Sequence, residues 1–383
     1  MNDWFWIVFD TSQLMDYYRD VHNLLALPAG ATMRYDYKQK YLSDEAVRRA
    51  DGNESAPVLF IYMQKQGSYR RDEKRTIAPQ GVLPFAYVGT RLGTMLSIVK
   101  DGKSYYFDFK VGNYPTHNEA FDQLMKALEG KGETPWAVVR DGGPSGKYVC
   151  VSTGMDSLRK LQAGEDQEKW SGIVSRLSAD PMQFREDAFW RLKGPYRSQA
   201  DDMTLPRIHT HVEKGKTRQS EAVYHITENT GWRFELISEI GQGVGARDTF
   251  HVEASTSDDK VVKFTGNPNF PLRRYTGTMI EFRAQSAQLI GQTSAEITLA
   301  TSPQPTGWVT GPVFALKYRV MRNKWRVGVG TITGAVAICT YVLGDSKLLD
   351  CHPLISILLK IFGLLCGVAS AFALTGKVSF SPK

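Results

Sequence analysis

Three rhythms of hydrophobic and polar positions divide this chain. In residues 1–153, apolar runs alternate with helical periodicities. Residues 4–9 are apolar enough for a buried strand; Leu14, Tyr17, Val21 and Leu24 then recur at helical spacing, closed by Pro28 and Gly30. Met33, Tyr35 and Tyr37 alternate with polar neighbours and predict a half-exposed strand, whereas the unbroken run 56–63 predicts a central one. Strands over 95–99 and 105–111 flank Asp101-Gly102, a hairpin turn because both residues tolerate positive φ. Thr116 and Glu119 have capping-box spacing ahead of Phe121, Leu124, Met125 and Leu128, with Gly130 as the stop. Segments 136–139 and 148–152 predict a further hairpin. This unit is a mixed α/β domain.

A helical connector is expected over 154–205. Trp170, Ile173, Val174 and Leu177 mark one helix, and Asp180-Pro181 with Gln183 opens a second that carries Phe184, Ala188 and Trp190. From residue 206 the period shortens to two. Segments 208–213, 222–227, 232–238, 249–254, 260–265, 278–284 and 295–300 alternate and are broken by Gly, Asn, Asp and Pro, the pattern of a β-sandwich or small barrel. The fold class is α+β, with a β-sandwich-like second domain over 206–310.

The third rhythm has no polar face. Val327–Leu343 and Pro353–Thr375 are close to the roughly 17–25 residues that cross a bilayer. With the polar link 344–352 they predict a transmembrane helical hairpin over 327–376, followed by a tail at 377–383. The segment 311–326 before it holds Lys317, Arg319, Arg322, Lys324 and Arg326, while the link has Lys347 against Asp345 and Asp350. Basic flanks stay on the cytoplasmic side. Both ends are therefore expected there, in an integral membrane protein with two spans. Trp325, between Lys324 and Arg326, suits an interfacial anchor. The first residues lack a basic region and a small-residue cleavage site, so they read as a strand and not a signal peptide.

Within the hairpin, Gly330 and Gly334 are four apart, as are Gly363 and Gly367, and Ala371 follows four later. That spacing makes flat helix faces for close packing in lipid. The faces either pack on each other within one chain or join chains into a homo-oligomer. Lys360 interrupts the second span near one end, where it either snorkels to the boundary or lines a polar path.

A formal charge of +7 and a pI near 9.0 raise the question of nucleic acid. Five of the cations sit in the run before the first span, which points to an anionic bilayer instead. The four cysteines show no disulfide or zinc spacing, and no cofactor is implied. His209, His211 and Glu213 alternate along one expected strand and, with His225 or His251, could hold a metal; an exposed polar face is the simpler reading. Arg70, Arg71, Lys74 and Arg75 form a basic loop, either solvated or suited to a nucleotide-like, phosphate-bearing ligand. The glycine-rich stretch 141–147 lacks phosphate-loop spacing and reads as a turn, and 241–245 reads as a connector. No nucleophile elbow, paired catalytic carboxylates or Cys/His pattern indicates an enzyme.

The order of soluble body then hairpin, with the pairs Gly330/Gly334 and Gly363/Gly367, resembles the membrane effectors of bacterial anti-phage, abortive-infection systems. The likeness is one of architecture. It implies a cytosolic sensing body, an inner-membrane location and a hairpin that oligomerises to perturb the bilayer; it identifies no sensing residue. The other expectation is a membrane-tethered scaffold or receptor that holds a cytosolic protein partner, with an inert anchor. A membrane-bound hydrolase using His209 and His211 is a third.

Overall fold

The two most apolar runs of the first unit become the centre of one sheet. β1 (Trp4–Asp10) runs parallel to β3 (Pro57–Lys65), with Trp6 opposite Val58 and Val8 opposite Phe60. A parallel pair needs a crossover. It is supplied by α1 (Met15–Ala26), β2 (Thr32–Lys38) and α2 (Asp44–Asp51), the last capped by Ser43, whose side chain accepts from the Ala46 N–H at 3.1 Å. The computed structural model describes residues 4–10, 15–65, 68–70, 75–77, 85–119, 121–122, 149–153, 163–164, 167–179, 188–198, 207–211, 221–240, 250–272, 277–285, 293–302, 314–344 and 353–375.

After the short pair β4 (Ser68–Arg70) and β5 (Arg75–Ile77) comes β6 (Phe85–Asp101), far longer than its expected 95–99. It accommodates that length with two bulges. One adds Thr90, whose hydroxyl donates to the Phe60 carbonyl; the other adds Leu96. The turn to β7 (Ser104–Val111) forms at Asp101-Gly102 as expected, with Gly102 at φ +60° and Asp101 opposite Ser104. β8 (Tyr114–Pro115), β9 (Val149–Thr153), β10 (Ala163–Gly164) and α3 (Gln167–Ser178) complete the unit, and the sheet order is β2-β7-β6-β3-β1-β9. One expectation changes here. Asn118, not Thr116, caps the helix start, accepting from the Phe121 N–H at 3.0 Å. β9 forms over the second arm of the expected hairpin and pairs with β1. Residues 123–130 and 136–139 lie outside the described residues.

The expected second connector helix is not a helix where it is described. β11 (Ala188–Arg197) is a strand, because its apolar residues serve two different cores. Trp190 and Leu192 face one cluster, whereas Phe189 faces another, built with Val21 and Leu25 of α1 and Trp170 of α3. α1 thus lies between the first sheet and β11.

Nine more strands follow among the described residues: β12 (Arg207–His211), β13 (Glu221–Thr227), β14 (Gly231–Ile240), β15 (Phe250–Thr256), β16 (Val262–Phe264), β17 (Asn269–Leu272), β18 (Gly277–Ala284), β19 (Ser294–Ser302) and β20 (Phe314–Met321). They form a four-stranded sheet, β11-β14-β18-β16, and a six-stranded sheet, β12-β13-β20-β19-β15-β17. The Phe282 and Tyr318 rings, one from each sheet, meet at 5.1 Å. β20 revises the segment expected as a basic approach to the membrane. Its alternating Leu316, Tyr318 and Val320 are buried, and Lys317 turns outward to Glu296 at 3.8 Å.

The chain ends in α4 (Lys324–Gly344) and α5 (Pro353–Thr375). Among the described residues one stretch, Leu354–Ala371, is long and apolar enough to cross a membrane; the apolar part of α4, Val327–Leu343, is shorter. Helices and strands are mixed in the first unit, strands alone follow among the described residues of 188–321, and an apolar helix is the last described element.

Candidate functional site

Small residues set the distance between α4 and α5. A Cβ built on Gly363 would lie 2.8 Å from Thr340 Oγ1 and 3.0 Å from the Ala337 carbonyl; one on Gly334 would lie 3.0 Å from Ser370 Oγ. Ser370 Oγ donates to the Gly330 carbonyl at 2.6 Å, a hydrogen bond between the helices. The glycine faces therefore meet each other within one chain. Gly367 faces Ala337, with 3.8 Å between its built Cβ and that of Ala337. Ala371, expected in this contact, is exposed, and Ser370 occupies the inward position one residue earlier.

Polar groups of the pair are satisfied locally. Thr331, Thr333 and Thr340 each donate to a carbonyl one turn back at 2.8 Å, so the hydroxyls need no water. Lys360 is half-buried one turn before Gly363. The outer faces are another matter: Ile338 is 67%, Leu354 74% and Leu364 64% exposed. Contiguous apolar surface of this kind marks an interaction face, with a protein or with a membrane.

The pair is tied to the body through Glu228, in the turn after β13. Asn323 is the N-cap of α4, its carbonyl accepting from the Val327 N–H at 3.0 Å. Its own N–H donates to Glu228 Oε1 at 3.0 Å, and the Glu228 N–H donates to the Met321 carbonyl at 2.9 Å. Glu228 is buried. A carboxylate here also suits the positive end of the helix dipole. Arg322 and Asn323 alone separate β20 from α4, whose first turn holds Lys324, Trp325 and Arg326.

A second constellation lies where the two units meet. Arg91 of β6 and Arg191 of β11 are fully buried, and both lie against the Tyr114 ring, at 3.7 and 5.2 Å from its centre. Arg91 Nε donates to the Gly112 carbonyl at 2.6 Å and Tyr114 Oη to the Leu25 carbonyl at 2.6 Å. Glu239, also buried, is a diagonal neighbour of Arg191 across the β11–β14 pair. The arrangement locks the β8 segment and the end of α1 against β11. No sequence pattern marks it, because its members are far apart along the chain.

His22 stacks on Phe189 at 4.8 Å in the same region, and burial lowers its pKa from 6.5 to about 3. The unfolded chain therefore takes up a proton below about pH 6.5 that the folded chain refuses. The His22 contribution is present at neutral pH and is lost as the pH falls toward 3. Between pH 7 and 5 the native chain is expected to lose about 2 kcal/mol more stability than His22→Phe. Urea unfolding at both pH values checks this, and equal losses would contradict it.

The remaining sequence candidates do not converge. Arg70 and Arg75 stand opposite each other in the β4–β5 pair, and Arg71 and Lys74 lie outside the described residues. His209 and His211 do sit two apart on β12, opposite Val223 and Glu221, but Glu213 lies outside the described residues. His225 is on the neighbouring strand. His251 is on β15, four strands from β12, or about 19 Å at ordinary strand spacing. No group of three or more metal-binding side chains forms among the described residues. Segments 141–147 and 241–245 also lie outside them.

No family model matches the chain, and no curated protein matches it. Among solved structures it is similar to the E. coli chaperone DraB, at 12% identity and a TM-score of 0.18, over 26% of this chain and 51% of that one. It is also similar to a family 123 glycoside hydrolase from Clostridium perfringens, at 5% identity and a TM-score of 0.21, over 36% of this chain and 27% of that one. The chain spans about half of the first protein and about a quarter of the second. Scores this low carry no inference about fold or function.

Proposed function

We propose that this chain is a membrane-anchored receptor or scaffold. In this reading α4 and α5 form a two-span transmembrane hairpin with both ends on the cytoplasmic side of a bacterial inner membrane. The mixed α/β unit and a β-sandwich built from the other two sheets stand at its surface and bind a cytosolic protein or a nucleotide-like ligand. The observation that carries it is the split character of the helix pair: small residues face inward and large apolar ones outward. At 1.5 Å per residue the 23-residue α5 is about 35 Å long, enough for a hydrocarbon core of about 30 Å, and the 17 apolar residues of α4, Val327–Leu343, come to about 26 Å, a short span that local thinning of the bilayer accommodates.

The test is topological. In a variant with Cys150, Cys339 and Cys366 changed to serine, the remaining Cys351 of the link is expected to react with an impermeant thiol reagent from outside intact cells. The protein is also expected to resist carbonate extraction. Labelling only after lysis, or release by carbonate, would reject this arrangement.

A second reading keeps the membrane effector of anti-phage defence, in which hairpins gather and perturb the bilayer. The glycine faces are already occupied within the chain, so the gathering surface would be elsewhere. Thr331, Ala335 and Cys339 supply an exposed line of small residues at four-residue spacing on α4. Under this reading Ala335→Leu abolishes membrane depolarisation on overexpression; under the anchor reading no depolarisation occurs with either protein.

A further inference from the structure

Strand ends from both sheets converge where α4 leaves the body. β20 reaches this end at Met321, and β13 runs parallel to it, so Thr227 and the Glu228 turn lie there too. β14 starts there at Gly231, opposite Arg283 near the close of β18, and Arg283 is in turn opposite Lys263 of β16. On the far side, Arg197 ends β11 opposite Trp232, with its guanidinium 5.9 Å from that ring. The turn before β16 is fastened to the same end, since the Gln285 N–H donates to the Val261 carbonyl at 2.8 Å; this turn carries Lys260. Arg197, Lys260, Lys263 and Arg283 are all exposed.

None of these four cations adjoins the basic run in sequence. Only the strand order brings them to the end of the body from which Arg322 and the first turn of α4 lead. Among the described residues, the carboxylates near this end are Asp258 and Asp259 in the β15–β16 turn, Glu281 diagonal to Lys263 across the β16–β18 pair, Glu296 paired with Lys317, and the buried Glu228, already engaged by Asn323. Cations outnumber them.

We infer that this end of the body is a docking surface for anionic phospholipid headgroups, formed by Arg197, Lys260, Lys263 and Arg283 together with the basic start of α4. The inference rests on the membrane-anchor reading, which puts this end against the bilayer. A cation near an anionic membrane contributes about 1 kcal/mol, or about fivefold in the docking equilibrium. The surface then does more than shield the junction: it holds the body upright on negatively charged membrane and releases it as salt rises.

The test uses the full chain, free of cysteines except for one introduced by Asp259→Cys, which carries a fluorophore. It is reconstituted into vesicles of phosphatidylcholine alone or with phosphatidylserine, each containing a headgroup-linked quencher. Quenching is expected to rise with phosphatidylserine, to fall with salt, and to drop about 25-fold in the docking equilibrium for Lys263→Gln with Arg283→Gln. Carbonate resistance is read on the same samples. An inserted protein whose quenching ignores phosphatidylserine or the paired substitution overturns the inference and leaves the anchor reading standing. Failure to insert in either vesicle overturns both. Binding of a short DNA duplex that the paired substitution abolishes, without any response to phosphatidylserine, would also overturn the lipid assignment and give the surface to nucleic acid.

Discussion

Cysteines at positions 337 and 367 are expected to join spontaneously into a disulfide within one chain, nearly to completion, and Gly363→Leu is expected to reduce that yield at least tenfold. A Cβ on Gly367 lies 3.8 Å from the Ala337 Cβ, at the mean separation of bridged cysteines. The pair is therefore posed for Ala337→Cys with Gly367→Cys in an otherwise cysteine-free chain. Leucine at 363 acts from outside the crosslink. Its Cβ would come to 2.8 Å from Thr340 Oγ1, 3.0 Å from the Ala337 carbonyl and 3.2 Å from the Tyr341 nitrogen. Two of these are backbone atoms and cannot rotate away. The helices must separate, and a shift of about 1 Å already forfeits much of the contact energy between closely packed faces. The measurement is gel mobility after oxidation. Crosslinked monomers are the expected product; dimers linked between chains would show that the glycine faces serve assembly instead.

Asp108→Ala is expected to be the most damaging single change in the first unit, at about 3–5 kcal/mol, because it leaves Arg34 charged and buried without its carboxylate. Arg34 donates through Nε and Nη2 to the two Asp108 oxygens at 2.7 Å each, and Ser97 Oγ donates to Asp108 at 2.6 Å. Both members of the pair are buried, at 8% and 1% exposure. Replacing both, as Arg34→Met with Asp108→Leu, is expected to restore most of the loss, since no lone charge then remains inside. Urea unfolding of the three proteins checks the prediction. A loss below 1 kcal/mol for Asp108→Ala would mean that water reaches Arg34.

Much of the fold is legible in local pattern. The run 56–63, the Asp101-Gly102 turn and the helix of Trp170, Ile173, Val174 and Leu177 all appear near their expected places, as do the seven alternating segments of the second unit. The misses share one cause. β11 was expected as a helix because Phe184, Ala188 and Trp190 have helical spacing, yet its residues are divided between two cores on opposite faces. β20 reads as a charged approach to the membrane until its neighbours β13 and β19 cover its alternate apolar positions. Asn118 caps the helix start in place of Thr116, because several polar residues precede that helix and only backbone geometry decides which of them accepts from its first N–H groups.

The candidate membrane site divides in the same way. Glycine spacing and apolar length are properties of neighbouring residues, so the sequence by itself determined which two segments are apolar and which positions could pack closely. Whether the faces meet within a chain depends on how the two helices are offset. That offset puts Ser370 inward and Ala371 outward. Charge is likewise countable from sequence, but location is not: Arg197, Lys263 and Arg283 lie far apart along the chain and share one end only through strand order and register. Tertiary structure also decided the Glu228 tie to Asn323 and the Arg91–Tyr114–Arg191 junction. Periodicity records what each residue's near neighbours require, whereas contacts between distant segments depend on which strands pair and where the pairing begins.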